Sequence, residues 1–417
     1  MASFSFGSGN AAKLMRIPLY AVGGICARLV PRGQRWVFGC GAGIGDGALA
    51  LWKIALTEGH DAVWLTSTAR ERADAAALGI RTISKSSPRG WWTTARAGLL
   101  VVTHGLGDVN RYAVTGGFVV QLWHGIPLKR IGLDSPATTQ VPNVPGAGLL
   151  RRAVGLLYRR TAQRIRIFPA ASDRSRGRLE SAFALGDARV VVTGEPRVDV
   201  LSAGTDEERR QTASALLVEA TGSLPDGART LLYAPTWRDG ADDVAVPTAA
   251  EWVKIIALLE ARNAVMFVRS HPLGAGAYQP PLPSGRVRML GSDLVADVTP
   301  ALPGIDALIT DYSSLAYDVG LLSMPVLYLA PDAEEYARTR GFYGRYEDVA
   351  GTDAAKDWVA LLAQLELLLT DDGVFTARSK RSSTLSAQMH AYRDGRNSRR
   401  VYQAIRARGI PAPKGAR

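Results

Sequence analysis

Cysteine is scarce in this chain: its 417 residues include only two, Cys26 and Cys40. Their positions offer neither a disulfide framework nor the spacing of metal ligands, so the sequence predicts a protein of a reducing compartment and indicates no metal site. Histidine is also rare, with five residues. A histidine that stands in a polar motif is therefore a candidate for chemistry.

Long hydrophobic runs are absent as well. A helix that crosses a bilayer needs about 20 apolar residues, and the longest early apolar run covers only residues 17–27. Lys13 and Arg16 precede this run, as in a signal peptide, but no convincing small-residue cleavage motif follows it. We expect a buried or interfacial helix here, with a secretion signal as the alternative.

Acidic residues are outnumbered by basic ones. The chain has 50 Lys and Arg residues against 38 Asp and Glu residues, a formal net charge of +12. This excess favours an anionic partner, which is a nucleic acid, an acidic lipid or a phosphorylated substrate. Charge alone does not choose among the three.

Short β-branched runs recur along the chain, and each is followed by a segment of helical length. This alternation predicts an α/β protein with parallel sheets, whose strands are covered on both faces. Turn residues at 193–208 divide the pattern. We predict Rossmann-like domains at 1–195 and 196–383. A terminal helix within 384–417, from about Thr384 to Ala407, is expected to cross back to the first domain.

Polar motifs follow several of the predicted strands, where ligands of open α/β sheets bind. In "LITDYSS", Thr310, Asp311, Ser313 and Ser314 precede a predicted helix. The free N–H groups of a helix start and two serine hydroxyls form a phosphate site. Plain capping of the helix by Asp or Ser is the alternative.

Two further strand ends in the second half carry basic residues. "FVRSHP" supplies Arg269 and His271, which are suited to hold a diphosphate and to stabilise a departing phosphate. A structural role for His271 is the alternative. "YAPTWRD" supplies Thr236 and Arg238, of which the arginine contacts phosphate or pairs with Asp239.

The densest basic stretch predicts an amphipathic helix near 148–166. Leucines and alanine share one face of its helical wheel, and Arg151, Arg152 and Arg159 lie opposite. Such a helix suits an anionic membrane surface. A domain-surface helix packed on its own sheet is the alternative. Nucleic acid is disfavoured because no aromatic platform is interleaved with the arginines.

"QLWHGIPLK" follows another apolar strand and contains His124, Gly125 and Lys129. A neutral imidazole at a strand end can accept a proton from an attacking hydroxyl, and Gly125 lets a substrate approach the backbone. Lys129 offers positive charge to a phosphate. A structural histidine beside Trp123 is the alternative. His104, in "VVTHGLGD", has sparser polar company, and we interpret it as mostly structural with a possible acceptor role.

Together these stretches resemble the CDP-glycerol glycerophosphotransferase family of teichoic acid primases and polymerases. The resemblance rests on "LWHGIPLK", "TGEPRVDVL", "YAPTWRD", "RSHP", "ITDYSSLAYDVGLLSMPVLYLAPDAEEYARTRGFY" and "DGRNSRRVYQAI", which occur in the family's order over about residues 120–405. The sequence departs from the family at Ile126, where threonine is common, so an acceptor role of that threonine does not carry over.

The resemblance implies a GT-B fold, in which two Rossmann-like domains face a central cleft and the second binds the donor. It implies a peripheral protein at the cytoplasmic face of the membrane. It makes His124 the base, and it brings His271, Ser313 and Ser314 to the donor diphosphate. The reaction it implies is transfer of glycerol phosphate, or a related polyol phosphate, from a CDP-activated donor to a lipid-linked acceptor of the teichoic acid type, with release of CMP.

Two other classes of function remain open. One is a GT-B glycosyltransferase that uses a nucleotide sugar, and the other is a catalytically idle membrane-surface binder. The residues require no cofactor, and they do not distinguish glycerol from ribitol or one added unit from many.

Overall fold

A computed structural model describes residues 17–139, 141, 146–186, 188–236, 238, 244–270 and 278–411. The chain divides into two compact units, of which the first combines Met1–Asp199 with Asp394–Arg417 and the second is Val200–Arg393. Each unit contains its own parallel sheet, so the predicted α/β class is confirmed. Of the predicted site residues, His271 lies outside the described residues.

In the described part of the first unit, the strands form a parallel sheet of order β3-β2-β1-β4-β5-β6-β7. They are β1 (Trp36–Phe38), β2 (Ala62–Thr66), β3 (Thr82–Ser84), β4 (Leu99–Val102), β5 (Phe118–Gln121), β6 (Ile165–Ala170) and β7 (Val190–Val192). Side chains alternate between two cores: Leu100 and Val102 pack on one face and Leu99 and Val101 on the other. Burial on both faces explains the solid apolar runs of the sequence.

Helices cover this sheet. They are α1 (Ile17–Leu29), α2 (Asp46–Thr57), α3 (Ala69–Ala77), α4 (Pro88–Ala95), α5 (Ala147–Ala162) and α6 (Asp173–Phe183). The helix predicted near 148–166 therefore ends at Ala162, because Ile165 and Ile167 already belong to β6. No helix among the described residues has both the length and the apolar character needed to cross a membrane.

The second unit has a smaller parallel sheet of order β10-β9-β8-β11-β12 within its described residues. Its strands are β8 (Arg229–Ala234), β9 (Ala264–Val268), β10 (Val287–Met289), β11 (Ala307–Thr310) and β12 (Val326–Tyr328). Its helices are α7 (Asp206–Thr221), α8 (Ala249–Ala261), α9 (Leu315–Asp318), α10 (Ala333–Thr339), α11 (Glu347–Ala350), α12 (Trp358–Thr370) and α13 (Asp372–Met389).

The predicted terminal helix from about Thr384 to Ala407 is two helices. The first, α13, ends at Met389 in the second unit, and the chain then turns at Gly395, which has a φ of 67° that favours glycine. The second, α14 (Asn397–Ala407), packs on α2 in the first unit. The "DG" pair between them supplies the turn that the prediction overlooked.

Candidate functional site

Two neighbouring strands of the first unit end in the same His-Gly turn. His104 and Gly105 follow β4, and His124 and Gly125 follow β5. The two glycines have φ angles of 138° and 143°, a conformation that side chains other than glycine rarely adopt. The imidazole rings stack face to face, with centroids 4.2 Å apart and planes 2° from parallel. The strand ends therefore present a histidine pair.

The backbone beside His124 is strained. Trp123 has a φ of 64°, which is unfavourable for a bulky side chain. Its buried indole packs edge-on against Phe183, with centroids 5.2 Å apart, and lies 4.2 Å from the His124 ring. Aromatic packing thus holds the chain in the conformation that directs His124 towards His104.

His104 is fixed from its other side. A Cβ atom on Gly41 would lie 2.6 Å from the His104 Cγ atom, so only glycine fits against this ring. Thr103 Oγ1 hydrogen bonds to His104 Nδ1 at 2.8 Å. The buried Asp108 carboxylate accepts hydrogen bonds from the backbone N–H groups of Thr103 and His104, at 2.9 and 2.7 Å. The turn after β4 thus gives His104 two polar neighbours, Thr103 and Asp108, which the sequence did not indicate.

Both histidines favour the neutral form. Burial, and then the neighbouring His104 ring, hold the pKa of His124 well below its usual value. Burial also lowers the pKa of His104, while the carboxylate of Asp108 opposes that change. Among the described residues, the buried Nδ1 atom of His124 has no hydrogen-bond partner. His124 is therefore a neutral imidazole with a vacant nitrogen.

Arg197 is a neighbour of His124 that the sequence reasoning overlooked. Its positive charge contributes to lowering the pKa of His124, after burial and His104. Its Nε atom donates to Glu195 at 2.8 Å, and 8% and 3% of the two side chains are exposed. Both residues belong to the quoted "TGEPR" stretch, so the motif was visible although its chemistry was not.

The remaining residues predicted for the acceptor side differ in exposure. Gly125 is buried in the turn after His124, and Lys129 is partly buried. Ile126 is completely buried, so its side chain packs in the interior. The departure from threonine at this position therefore changes the packing beneath the turn.

Cys40, Asp46 and His104 form a further cluster beside the histidine pair. One potential ligand atom from each lies within 4.8 Å of the others. Burial raises the pKa of the Cys40 thiol well above its usual value, and the carboxylates of Asp46 and Asp108 add to this effect. Thr103 Oγ1 also hydrogen bonds to the Cys40 sulfur at 3.2 Å. The protonated thiol is thus part of the hydrogen-bonded support of His104.

In the second unit, Arg238 is a buried structural cation. Its guanidinium forms a bidentate ion pair with Asp332, at 2.8 and 2.9 Å, and donates to Asp311 at 2.9 Å. The rings of Tyr312 and Tyr336 lie 4.9 and 5.2 Å from its central carbon. Each guanidinium nitrogen has an acceptor within the protein, so the structure shows a scaffold role for Arg238, and its predicted contact with phosphate stays a prediction. Asp239, the partner expected instead, lies outside the described residues.

Three more predicted phosphate ligands serve the scaffold. The completely buried Thr310 hydroxyl donates to the Ala234 carbonyl at 2.7 Å. Asp311 accepts the backbone N–H of Thr236 at 3.0 Å as well as Arg238. Arg269 donates to the carbonyls of Leu290, Val295 and Ala296, at 2.8–3.0 Å. These groups join β8 to β11 and hold the loop at 290–296.

Ser313 and Ser314 follow β11, and Thr236 follows β8. All three are partly buried. Within the described residues, no hydrogen-bond acceptor contacts the amide N–H groups of the two serines. The helix that follows, α9, has only four residues and continues as the 3₁₀ turn Val319–Leu322. The dipole of the predicted helix start is therefore weaker than expected, and the local N–H and O–H groups remain.

The arginines predicted to face a membrane are exposed on α5. Arg151, Arg152 and Arg159 point away from the buried face, which consists of Val154, Tyr158 and Ala162. The predicted apolar face is divided, because Val154 is buried whereas Leu149, Leu156 and Leu157 are exposed, Leu149 to 75%. The helix thus presents leucines and arginines together to its surroundings.

Comparison with protein families identifies the family of this chain. Residues 42–407 match the family described as CDP-Glycerol:Poly(glycerophosphate) glycerophosphotransferase. The chain belongs to this family. The predicted family is thereby confirmed, together with the predicted enzyme class, polyol-phosphate transfer in teichoic acid synthesis.

Individual relatives agree with this assignment. The teichoic acid glycerol-phosphate transferase of Staphylococcus aureus is 27% identical over 299 residues, which cover 69% of this chain and 70% of the relative. The teichoic acid poly(glycerol phosphate) polymerase of Staphylococcus epidermidis is 30% identical, over 56% of this chain and 31% of its own length.

Solved structures show a shared fold. The wall teichoic acid polymerase TagF superposes with a TM-score of 0.73 at 20% identity, covering 96% of this chain and 95% of that chain. A co-structure of Staphylococcus aureus MnaA with UDP gives a TM-score of 0.54 at 13% identity, covering 92% and 99%.

Proposed function

We propose that this chain transfers glycerol phosphate, or a related polyol phosphate, from a CDP-activated donor to a hydroxyl of a lipid-linked acceptor, and that CMP leaves. The observation that carries this proposal is the neutral, partly exposed imidazole of His124 at the end of β5, which stacks on His104. A neutral imidazole accepts a proton. The TagF structure that was soaked with CDPG adds support for the donor class.

His124 acts as the general base in this proposal. It removes the proton of the acceptor hydroxyl while that oxygen attacks the β-phosphorus of the donor. The bond between this phosphorus and the bridging oxygen breaks, and CMP leaves with the electron pair. Because the pKa of His124 is low, the base is deprotonated at neutral pH without help from another group. The cost of a low pKa is a weaker proton acceptor, which close positioning must offset.

The donor diphosphate contacts the second unit. We assign to it the amides and hydroxyls of Ser313 and Ser314 and the hydroxyl of Thr236 as donors. The Ser313 hydroxyl accepts the N–H of Leu315 at 3.3 Å and keeps its own O–H to donate. His271 neutralises charge that grows on the leaving CMP. Arg269 does not donate to the diphosphate in this proposal. It acts indirectly, because its guanidinium holds the 290–296 loop in place. In this proposal the two units form a GT-B arrangement around a central cleft.

The first unit contacts an anionic membrane through α5. Its exposed arginines attract acidic headgroups, and its exposed leucines enter the interface. This places the active site at a membrane surface where a lipid-linked acceptor is found, and it makes the protein peripheral at the cytoplasmic face.

A second element, α1, has the same character. Leu19, Val22, Ile25 and Leu29 form one exposed face, with exposures of 58–80%. The opposite face packs closely, since a Cβ on Gly24 would lie 2.9 Å from Thr115 Oγ1. An exposed apolar stripe of this kind is unusual for a surface in water. It supports the membrane proposal independently of charge.

The decisive experiment offers CDP-glycerol, CDP-ribitol and UDP-sugars with a lipid-phosphate acceptor and identifies the nucleotide released. CMP from a CDP-polyol supports the proposal, whereas UDP from a nucleotide sugar contradicts it. Turnover of the His124→Ala variant should fall by about 10²–10⁴-fold, the usual worth of general acid–base catalysis. His60→Ala removes a histidine that stacks on Trp36 instead, and it is the matched control.

A further inference from the structure

We propose that His104 is a positioning residue for the transfer, which fixes the ring of His124 and keeps that ring in its proton-accepting form. This inference rests on the proposed role of His124 as the base. It gives a function to a histidine that the sequence motifs left as mostly structural.

The first argument is geometric. The His124 ring has two ring neighbours, His104 with planes 2° from parallel and Trp123 with planes 32° apart, each with centroids 4.2 Å away, and the Gly41 backbone lies close to His104. The backbone of Gly41 leaves no space for His104 to retreat, and Phe183 blocks movement of Trp123. The His124 ring is therefore packed against two planar groups, which restrict its rotation about the Cβ–Cγ bond.

The second argument concerns the proton. Two imidazoles with centroids 4.2 Å apart cannot both carry a positive charge without strong repulsion. His104 has the nearby carboxylate of Asp108, which raises its pKa against the effect of burial. The pKa of His124 is lowered by burial and by the neighbouring His104; a backbone hydrogen bond with Thr103 opposes this, and the charge of Arg197 adds to it. The first proton taken up by the pair therefore goes to His104, and His124 stays neutral.

The other charged and titratable groups around the pair do not change this order. Cys40 follows β1 and keeps its proton, because burial raises its pKa. Asp46, at the start of α2, has a carboxylate oxygen within 4.8 Å of Cys40 and of His104. Glu195 pairs with Arg197. Negative charge is thus concentrated beside His104, and the positive charge of Arg197 acts on His124.

The test measures kcat/KM against pH for the full-length His104→Phe variant. Phenylalanine keeps a ring in the stack but accepts no proton, so His124 must take up the first proton itself. We expect the acidic limb of the profile to move to higher pH by about 1 unit, the lower end of the effect of a nearby charge. Activity on the alkaline plateau should stay within about threefold of wild type, because the ring remains positioned.

A direct readout accompanies the kinetics. NMR titration of isotopically labelled histidine follows each of the five rings, and the His124 signal should titrate at higher pH in His104→Phe. His104→Ala removes the ring as well, so it should show the same shift together with a lower plateau. His60→Phe, the matched control, should leave the titration of His124 unchanged.

Three results would overturn the inference. An unchanged His124 titration in both His104 variants means that the stack does not set its protonation. A plateau that falls equally in His104→Phe and His104→Ala means that the ring does not position His124. A divalent metal that shifts or broadens the His104 NMR signal means that Cys40, Asp46 and His104 bind an ion. The NMR titration needs no substrate, so it decides the inference even if the proposed polyol-phosphate transfer is wrong.

Discussion

Asn397 lies directly against Gly194: a Cβ on Gly194 would be 2.0 Å from the Asn397 Oδ1 atom. Asn397 Nδ2 also donates to the Glu195 carbonyl at 3.2 Å, and the Asp199 carboxylate accepts the N–H groups of Asn397 and Ser398 at 2.8 and 2.7 Å. The "TGEPRVD" and "DGRNS" stretches are therefore the two sides of one junction. Because Arg197 is part of it, this junction also supports the surroundings of His124.

Gly194→Ala should destabilise the first unit. The new methyl group overlaps Asn397, and the φ of 75° at Gly194 is unfavourable for alanine. Strain at such a position and overpacking each cost about 1–3 kcal/mol. Thermal unfolding should show the loss. Gly177→Ala is the control, because Gly177 lies in α6 with open space around its Cα atom, and alanine there should be neutral or stabilising by up to about 1 kcal/mol. Equal melting temperatures for the two variants would contradict the described contact.

Arg238→Met should destabilise the second unit by about 3–5 kcal/mol, the usual cost of removing one partner of a buried ion pair. The change leaves the carboxylates of Asp311 and Asp332 without their cation. Denaturant unfolding measures the effect. Arg262→Met is the control, because the Arg262–Glu366 pair is exposed and such pairs contribute about 0–1 kcal/mol. A loss below 1 kcal/mol for Arg238→Met would refute a structural role of the buried cation.

The penalty of Arg238→Met should depend on pH. Although burial opposes the change, hydrogen bonds from Arg238 and Tyr312 leave the pKa of Asp332 below its usual value. A depressed carboxylate pKa stabilises the folded state above the pKa of the unfolded chain, about 3.9 for Asp, and this contribution disappears as the pH falls through the folded-state pKa. The difference in unfolding free energy between wild type and variant should therefore shrink below about pH 4. If the difference in unfolding free energy instead grows as the pH falls, the pKa of Asp332 is not lowered by its contact with Arg238.

The two proposed catalytic histidines should differ in donor binding. We expect His271→Ala to lose about 1.5–3 kcal/mol of affinity for CDP-glycerol, the range for a hydrogen bond to a charged group. His124→Ala should lose almost none, because it contacts only the acceptor hydroxyl. Calorimetric titration of CDP-glycerol onto each variant checks this. The reverse order would mean that the donor and acceptor sides are exchanged, and it would favour the sugar-transfer alternative.

Membrane contact through α5 predicts that replacing Arg151, Arg152 and Arg159 with Glu abolishes sedimentation with anionic vesicles, since each basic residue near such a surface contributes about 1 kcal/mol. The control replaces three exposed arginines of the second unit, Arg262, Arg338 and Arg345, and changes the net charge equally. The proposal fails if both triple variants sediment like wild type, or if both lose binding to the same extent.

The apolar part of the membrane surface needs its own test. Val22→Asp and Ile25→Asp leave every arginine in place and put carboxylates on the exposed face of α1. Binding to anionic vesicles should weaken in both variants, and circular dichroism should stay unchanged because neither side chain is packed. If a variant that combines Val22→Asp and Ile25→Asp binds the vesicles like wild type, α1 does not contact the membrane.

Most of the sheet was predictable because its strands carry solid apolar runs. The two strands that the sequence reasoning overlooked, β3 (Thr82–Ser84) and β10 (Val287–Met289), are edge strands of three residues. An edge strand is covered less completely, so Thr82 and Arg288 interrupt its apolar pattern and leave no signal of its own. Length and edge position alone did not decide this, because β7 (Val190–Val192) and β12 (Val326–Tyr328) are also three-residue edge strands. Their unbroken apolar runs made them predictable.

The positions of the candidate site residues were predictable, but their hydrogen-bond partners were not. His124 follows a strand as expected, and Arg238 and Thr310 occupy similar positions, where each hydrogen bonds within the scaffold. Their partners Asp332 and Ala234 come from other elements, which local sequence does not identify. The stacking of His104 on His124 likewise depends on strand order, since β4 and β5 are neighbours only in the folded sheet.

The helix α14 completes the core of the first unit, and it is synthesised after the whole second unit. It covers Leu51 and Trp52 of α2 with Val401, Tyr402 and Ile405, although α2 leaves the ribosome several hundred residues earlier. The whole second unit is synthesised between these two parts of one core. A nascent chain can therefore finish Val200–Arg393 while the first unit still exposes tryptophan and leucine to solvent. Residues 394–407 complete the core of the first unit only at the end of synthesis. If the ribosome stalls before them, the apolar surface of α2 stays exposed to chaperones and to aggregation.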